Sequence, residues 1–289
     1  MRFRVFHRTR YLYRAPVRDS YNELRLRPAT DDKSRLEFFL LKIHPPARLQ
    51  HFRDNWFNYV HFFEVPEAHT SLTIESQSTI NTTSPYQEGK PLGVRFETLK
   101  TDLDDMVQPF LGGSKYVDVS PEVWRLGIDI RDGRDDVFEV AEAVMTHIFR
   151  EWTYAPNSTN VSTHMNEVLA TKRGVCQDFA HLALSGLRGL GLAARYVSGY
   201  LETTPLPGAP VLTGVDASHA WISVYQPGSE ENTGWFDFDP TNGTPIGEGH
   251  LTLAWGRDYG DVAPLKGVIY GGGMHQLDVG VTVTRMFDN

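Results

Sequence analysis

Apolar and polar residues alternate through most of the first eighty residues, and no other feature limits the possible folds as strongly. The segments Arg2–Tyr13 (RFRVFHRTRYLY) and Ser71–Asn81 (SLTIESQSTIN) both show this alternation. Successive side chains of a strand point to opposite faces, so the pattern is typical of strands with one buried face. Proline and Asn/Asp residues separate these segments, as they do between antiparallel strands. We therefore predict an antiparallel, β-sandwich-like domain over residues 1–85.

The remaining sequence predicts a mixed α+β region. Residues 86–125 are rich in proline, glycine and polar side chains and show little periodicity, which indicates a linker. Apolar residues recur at helical spacing in Asp135–Trp152, and Thr163–Thr171 has the pattern of a short helix. Several predicted strands follow. We assign residues 126–270 to a core domain and residues 271–289 to a closing C-terminal strand.

Charge and hydropathy exclude several classes of protein. The formal net charge is -8, whereas a nucleic-acid binder needs clustered lysine and arginine for its phosphate contacts. A helix that crosses a bilayer needs about 20 apolar residues, and the most apolar run of this chain, Leu36–Ile43, is shorter than that. The first residues contain no apolar segment of the signal-peptide type. We expect a cytoplasmic protein that binds neither nucleic acid nor membrane. The arginines of the first strands either face solvent or meet an anionic partner.

Cys176 is the only cysteine, and it lies where a helix is predicted to begin. One cysteine permits no internal disulfide and no cysteine-based zinc site. Apolar residues recur from Cys176 to Leu190 on one helical face. The start of a helix has free backbone N–H groups and a partial positive charge, which favour a thiolate and can hold an oxyanion. The alternative is that Cys176 is an ordinary buried apolar residue.

A thiol nucleophile requires a base, and the base requires an acceptor that orients it. His219 opens a predicted strand directly after the Pro/Gly-containing segment 202–218, which we interpret as a mobile loop or a lid. Asp239 ends the next predicted strand, and a short loop allows the two strands to pair. Asp237 has the same strand parity and is the competing acceptor. Asp239 is preferred because Pro240 marks the strand end, where functional groups tend to lie.

Three segments resemble the core of the transglutaminase-like superfamily: RGVCQDFAHLALSGLRGLGLAARYVSGYL, SHAWISVYQPG and GWFDFDPTNG. YNELRLRP, FRDNWFNYVHFFEV and LTIESQS resemble the N-terminal β domain of its bacterial branch, and GRDYGDVAPLKGVIYGGG resembles the C-terminal signature. The resemblance implies a papain-like core in which the nucleophile lies at a helix N-terminus packed on an antiparallel sheet. It also implies a catalytic triad. In that triad Cys176 is the nucleophile, His219 is the general base and acid, and Asp239 orients the imidazole.

The expected reaction is acyl transfer from a peptide or protein amide through a thioester on Cys176. Hydrolysis is favoured over cross-linking because water needs no second binding site. The alternative is a catalytically silent peptide-binding or scaffold module with the same fold. No cofactor and no metal are expected. The GxGxxA-like segment at Gly189–Ala194 has its helix before it and its strand after it, the reverse of a dinucleotide site. His61 and His69 lie on strand-like sequence and are not taken as metal ligands.

Other residues near these motifs are weaker candidates for a role in the site. Tyr154 could donate to the oxyanion, as an upstream aromatic residue does in the superfamily, or pack in the core. Asp178 lies in the first turn of the cysteine helix, where a carboxylate complements the helix dipole. Arg257, Asp258 and Tyr259 could line the cleft, but a structural salt bridge is the preferred interpretation.

Overall fold

The computed structural model describes residues 1–31, 33–83, 94–96, 99, 103–156, 158–159, 163–202, 218–227 and 234–287. The strands are β1 (Arg2–Leu24), β2 (Ser34–His44), β3 (Gln50–Arg53), β4 (Tyr59–Val65), β5 (His69–Thr82), β6 (Thr153–Tyr154), β7 (Arg173–Gly174), β8 (Ala194–Leu201), β9 (Ser218–Tyr225), β10 (Trp235–Asp239), β11 (Thr244–Pro245), β12 (His250–Gly256), β13 (Leu265–Gly271) and β14 (His275–Met286). The helices are α1 (Pro121–Arg131), α2 (Val137–Glu151), α3 (Met165–Thr171), α4 (Cys176–Gly189) and α5 (Tyr259–Val262).

Strand β1 is the centre of a seven-stranded antiparallel sheet. Its first half, Arg2–Leu12, pairs with β5 on one side and with β14 on the other. Its second half, Val17–Leu24, pairs with β13, and β4 pairs with the last residues of that half. The register with β5 shifts between Leu12 and Val17, where the strand changes partners. One strand of 23 residues therefore organises the whole N-terminal sheet.

A second antiparallel sheet forms the floor of the core region, with strand order β11-β10-β9-β8-β12. Helix α4 packs on one face of this sheet, and α2 packs beside α4. Their contact is apolar, with Phe179 and Leu184 of α4, Val144 of α2 and Ile222 of β9 all fully buried. The helical spacing that predicted the cysteine helix therefore marks the face that lies against the sheet.

The two sheets share one apolar core. Phe3 and Val5 of β1 and Val281 of β14 belong to the same buried cluster as the α4 face. A polar contact accompanies them, since His7 Nδ1 lies 2.8 Å from the hydroxyl of Tyr200 on β8. The α+β class predicted from the sequence is confirmed. The domain limits at residues 85, 125 and 270 stay predictions, although β13 and β14 return to the N-terminal sheet.

Two helix boundaries differ from the sequence prediction. Helix α1 begins inside the predicted linker, because Pro121 suits the first helical position and Ser120 Oγ accepts the Val123 N–H at 3.4 Å. Helix α3 begins at Met165 rather than Thr163, and His164 is its N-cap. Among the described residues, no helix combines the length and hydropathy that crossing a bilayer requires.

Candidate active site

Cys176 is the first residue of α4, and Asp178 shapes the backbone that precedes it. Val175 is extended (φ -118°, ψ 179°), and its N–H donates to the Asp178 carboxylate at 2.8 Å. Thr159 Oγ1 donates to the same oxygen at 2.6 Å. Burial raises the pKa of Asp178, and these two hydrogen bonds oppose the rise. A Cβ at Gly174 would lie 2.8 Å from Asp178 Cβ, so this close approach requires glycine in the RGVC sequence.

The Cys176 side chain is partly exposed and also packs against the apolar core. A partly exposed thiol at the first turn of a helix combines access for a substrate with the favourable field of the helix N-terminus. Its apolar contacts agree with the second interpretation of the sequence, that Cys176 belongs to the apolar face of α4. Cys176 is therefore both partly accessible to solvent and part of the apolar face of α4.

His219 on β9 holds its ring between Cys176 and Asp239. Nε2 lies 2.8 Å from Asp239 Oδ2, and the ring also hydrogen-bonds the Cys176 side chain. Because Nε2 is engaged by Asp239, Nδ1 is left for the sulfur. Burial lowers the pKa of His219, but the hydrogen bonds and charges of Asp239 and Cys176 outweigh burial and raise the pKa to about 10. This favours an imidazolium at neutral pH, the charge state that stabilises a thiolate.

Asp239 is completely buried at the end of β10 and is surrounded by hydrogen-bond donors. Oδ1 accepts the backbone N–H groups of Thr241 and Asn242, at 2.9 and 3.2 Å. Oδ2 accepts the Asn242 side chain at 2.6 Å, His219 Nε2 at 2.8 Å and His250 Nε2 at 3.1 Å. Burial raises the pKa of Asp239, but these donors and the His219 charge hold it well below the usual range. The carboxylate is therefore ionised.

Asp237, the competing acceptor, lies elsewhere on the same strand face. It is opposite Ser223 in the pairing of β10 with β9, four residues along β9 from His219. Its Oδ2 is 3.0 Å from Lys33 Nζ, in a loop of the N-terminal region. The structure therefore brings Asp239, and not Asp237, to the histidine ring.

His250, at the start of β12, is a site residue that the sequence analysis missed. The backbone N–H of Gly247 donates to its Nδ1 at 3.1 Å, which places the ring proton on Nε2, facing Asp239. The indole of Trp221 stands edge-on to the ring, 5.3 Å between centroids, and also lies 6.2 Å from the His219 ring. The only sequence signal was a polar residue opening the apolar strand HLTLAWG.

His219, Asp239 and His250 are the one group among the described residues with the spacing of metal ligands. Their ligand atoms lie within 4.8 Å of one another. Those atoms are joined to each other by two hydrogen bonds through Asp239 Oδ2. The donor pattern therefore suits a hydrogen-bonded cluster, and the expected absence of a metal stays a prediction. His61 and His69 do not belong to such a group.

Tyr154 lies close to the nucleophile in sequence and in space. Strand β6, which it ends, pairs in parallel with β7 just before Cys176. Its ring is 47% exposed and stands edge-on to Phe179 at 6.4 Å. This position leaves its oxyanion role a prediction. The predicted lid falls mainly on residues 203–217, which lie outside the described residues.

Two of the other cleft candidates, Arg257 and Asp258, make structural contacts of the kind preferred from the sequence. Arg257 forms a two-pronged ion pair with Asp261, through Nε at 2.9 Å and Nη2 at 3.1 Å. Asp258 caps α5 by accepting the Gly260 N–H at 2.8 Å, and it also accepts the Tyr116 N–H at 3.0 Å. Both groups fix the turn that follows β12.

Comparisons with known proteins agree with this architecture. Residues 3–81 match the family model of the bacterial transglutaminase-like N-terminal region, and residues 125–240 match that of the transglutaminase-like superfamily. An uncharacterized protein of Mycobacterium tuberculosis is 35% identical over 98% of this chain and 92% of its own length. One of Mycobacterium leprae is 35% identical over 99% of both chains.

A solved structure extends the comparison to the fold. It is a candidate cysteine protease from Cytophaga hutchinsonii, with a TM-score of 0.76 and 22% sequence identity, covering 100% of this chain and 92% of its own. At that identity the likeness concerns the fold alone. The full-length relatives and the two family matches establish the assignment: this chain belongs to the transglutaminase-like superfamily and has the N-terminal region of its bacterial members.

Proposed function

We propose that the protein is a cysteine-dependent enzyme that transfers the acyl group of a peptide or protein amide through a thioester on Cys176. One observation carries the proposal: the His219 ring joins the thiol at the start of α4 to a buried, ionised Asp239. A nucleophile, a base and an orienting acceptor in hydrogen-bond contact are the arrangement that covalent catalysis requires.

The proposed reaction has two halves. The Cys176 sulfur attacks the amide carbonyl carbon, and the resulting oxyanion is held by the Cys176 backbone N–H and one further donor, for which Tyr154 is a candidate. His219 gives its proton to the leaving amine as the C–N bond breaks, which leaves a thioester. His219 then takes a proton from water or from a second amine, and that nucleophile attacks the thioester. The C–S bond then breaks, which releases the acyl product and restores the Cys176 thiolate beside the protonated His219.

Hydrolysis is the preferred outcome of the second half. Water needs no binding site of its own, whereas cross-linking requires a second site for the acceptor amine. The rival proposal is a silent peptide-binding module. The hydrogen-bonded chain of three groups argues against it, because a binding module has no need of an ionised acceptor behind a histidine and a cysteine.

The rate of Cys176 alkylation by iodoacetamide tests the proposal directly. It is measured against pH on the folded protein by intact mass, and the single cysteine makes the assignment unambiguous. We expect fast labelling at pH 6 in the wild type. His219→Ala should slow it by about tenfold or more, because the imidazolium that stabilises the thiolate is lost.

The matched control is His51→Ala, which removes an exposed histidine of the N-terminal sheet and should label like the wild type. Cys176→Ala serves as the blank for labelling and should keep its fold. If the wild type and His219→Ala label equally slowly at pH 6, the proposed nucleophile is wrong. Labelling only after unfolding would favour the silent binding module.

A further inference from the structure

The Asp239 carboxylate is held from two directions. On one side, the turn after β10 supplies three donors: the two backbone N–H groups of Thr241 and Asn242 and the Asn242 side chain. On the other side, His250 supplies Nε2 from β12, a strand that is not adjacent to β10 in the sheet. His219 approaches the same oxygen, Oδ2, that His250 contacts.

His250 is a fixed donor rather than a free histidine. Its Nδ1 is occupied by the Gly247 N–H, so the proton that faces Asp239 stays on Nε2 in the neutral ring. Its side chain is 8% exposed, and the edge-on Trp221 indole restricts the ring further. Gly199 makes room for this indole, since a Cβ there would lie 2.3 Å from the Trp221 ring.

Resting on the proposed function, we propose that His250 is a positioning residue for the reaction: its Nε2–H draws Oδ2 of Asp239 toward β12 and keeps that oxygen on the His219 ring. Without His250, all the donors to Asp239 other than His219 itself lie in the turn at residues 241–242. The carboxylate would then rotate toward that turn and weaken its hold on the imidazolium. The hydrogen bonds of the His250 ring go to the Gly247 N–H and to Asp239, so His250 acts through Asp239.

Three substitutions distinguish the effect of the His250 hydrogen bond from the effect of the volume that its ring fills. His250→Phe keeps the volume and removes the donor, His250→Ala removes both, and His250→Gln keeps a donor that can reach Asp239. We expect Phe and Ala to slow Cys176 alkylation at pH 6 by about tenfold, the typical effect of a lost bond to a charged group. Gln should label within about threefold of the wild type. At pH 9 all four proteins should label alike, because a free thiolate then forms without help from the imidazolium.

The outcomes separate this inference from the proposal on which it rests. One outcome is that His219→Ala slows Cys176 alkylation at pH 6 whereas His250→Phe is alkylated as fast as the wild type. This outcome overturns only the positioning role of His250. If His219→Ala is alkylated at pH 6 as fast as the wild type, the proposed function and the role of His250 are both overturned. A variant that loses labelling equally at pH 6 and pH 9, with a lower melting temperature, has only a structural defect and also overturns the role.

A second measurement covers the case in which His250→Phe and His250→Ala do not fold. Nitrogen-15 NMR of the wild type at pH 7 reports which ring nitrogen of each histidine carries the proton, and the signal missing from His250→Gln identifies His250. The proposal requires the Nε2–H form. A proton on Nδ1 would leave no donor toward Asp239 and would refute it.

Discussion

Acidification should weaken the contact between the two sheets, because His7 is buried there as a neutral ring. His7 is 2% exposed, and its Nδ1 and Nε2 meet the hydroxyls of Tyr200 and Thr9 at 2.8 and 2.9 Å. Burial lowers the pKa of His7 from 6.5 to about 4. In the unfolded chain the ring regains its ordinary pKa, so between about pH 6.5 and 4 only the unfolded state binds the proton.

The sign and the size of the effect follow from this difference. The unfolded state binds more protons in that window, so the free energy of unfolding falls as the pH falls. The loss is about 1.4 kcal/mol for each pH unit and reaches about 3 kcal/mol by pH 4. Above pH 6.5 the contribution of His7 is complete. His181 is a buried residue of α4, and burial lowers its pKa to about 3, so it adds a loss of the same sign.

Urea unfolding of the wild type and of His7→Gln at pH 7.5, 6.0, 5.0 and 4.5 isolates the contribution of His7. Glutamine supplies a donor and an acceptor without titrating, and the contributions of all other groups cancel in the comparison. The two free energies of unfolding should converge as the pH falls from 6.5, at about 1.4 kcal/mol for each unit. Parallel pH profiles would show that His7 titrates normally in the folded protein and would refute the reasoning.

Two further substitutions test local packing by urea unfolding at pH 7.5. Gly199→Ala should lower the free energy of unfolding by about 3 kcal/mol, because its Cβ would lie 2.3 Å from the Trp221 ring and 2.4 Å from the Leu251 backbone oxygen. An unchanged free energy of unfolding would show that β12 can move away. Asp178→Ala should cost about 1 kcal/mol or more, because the Val175 N–H loses its acceptor, and Asp178→Asn should recover part of the loss. Equal values for the two Asp178 variants would contradict the capping role.

Many elements of the fold could be predicted from the sequence, although β12 and the start of α1 could not, and the pairing partners of the strands could not either. Alternation marks β1 and β5 as half-buried strands, and helical spacing marks the face of α4 that lies on the sheet. Neither pattern says that β14, some 270 residues along the chain, pairs with the first half of β1. Pairing between distant segments depends on the whole chain, because local periodicity fixes only which side chains share a face.

The same limit applies to the site. Strand parity places Asp237 and Asp239 on one face, and the sequence favoured Asp239 as the acceptor for His219. The two carboxylates differ in their partners, and one of those partners is distant in the sequence. Lys33 reaches Asp237 from a loop some 200 residues earlier, whereas His219 reaches Asp239 from the neighbouring strand. His250 has no motif, since its place beside Asp239 depends on where β12 crosses the sheet. A sequence pattern can predict the three residues of the triad. The residues that hydrogen-bond Asp239 from other strands, such as His250, depend on how those strands are arranged in the sheet.

That topology also connects loops of the N-terminal region to the site. Strand β12, which begins with His250, is hydrogen-bonded to the N-terminal region at two positions, Thr252 and Trp255. The Ala29 N–H donates to the Thr252 carbonyl at 2.9 Å. Asn58, which is buried, exchanges two hydrogen bonds with the Trp255 backbone, at 2.7 and 3.0 Å. Because β12 carries His250 at its first residue, groups in the first sixty residues fix the strand that meets Asp239, and the two regions act as one structural unit around the cysteine.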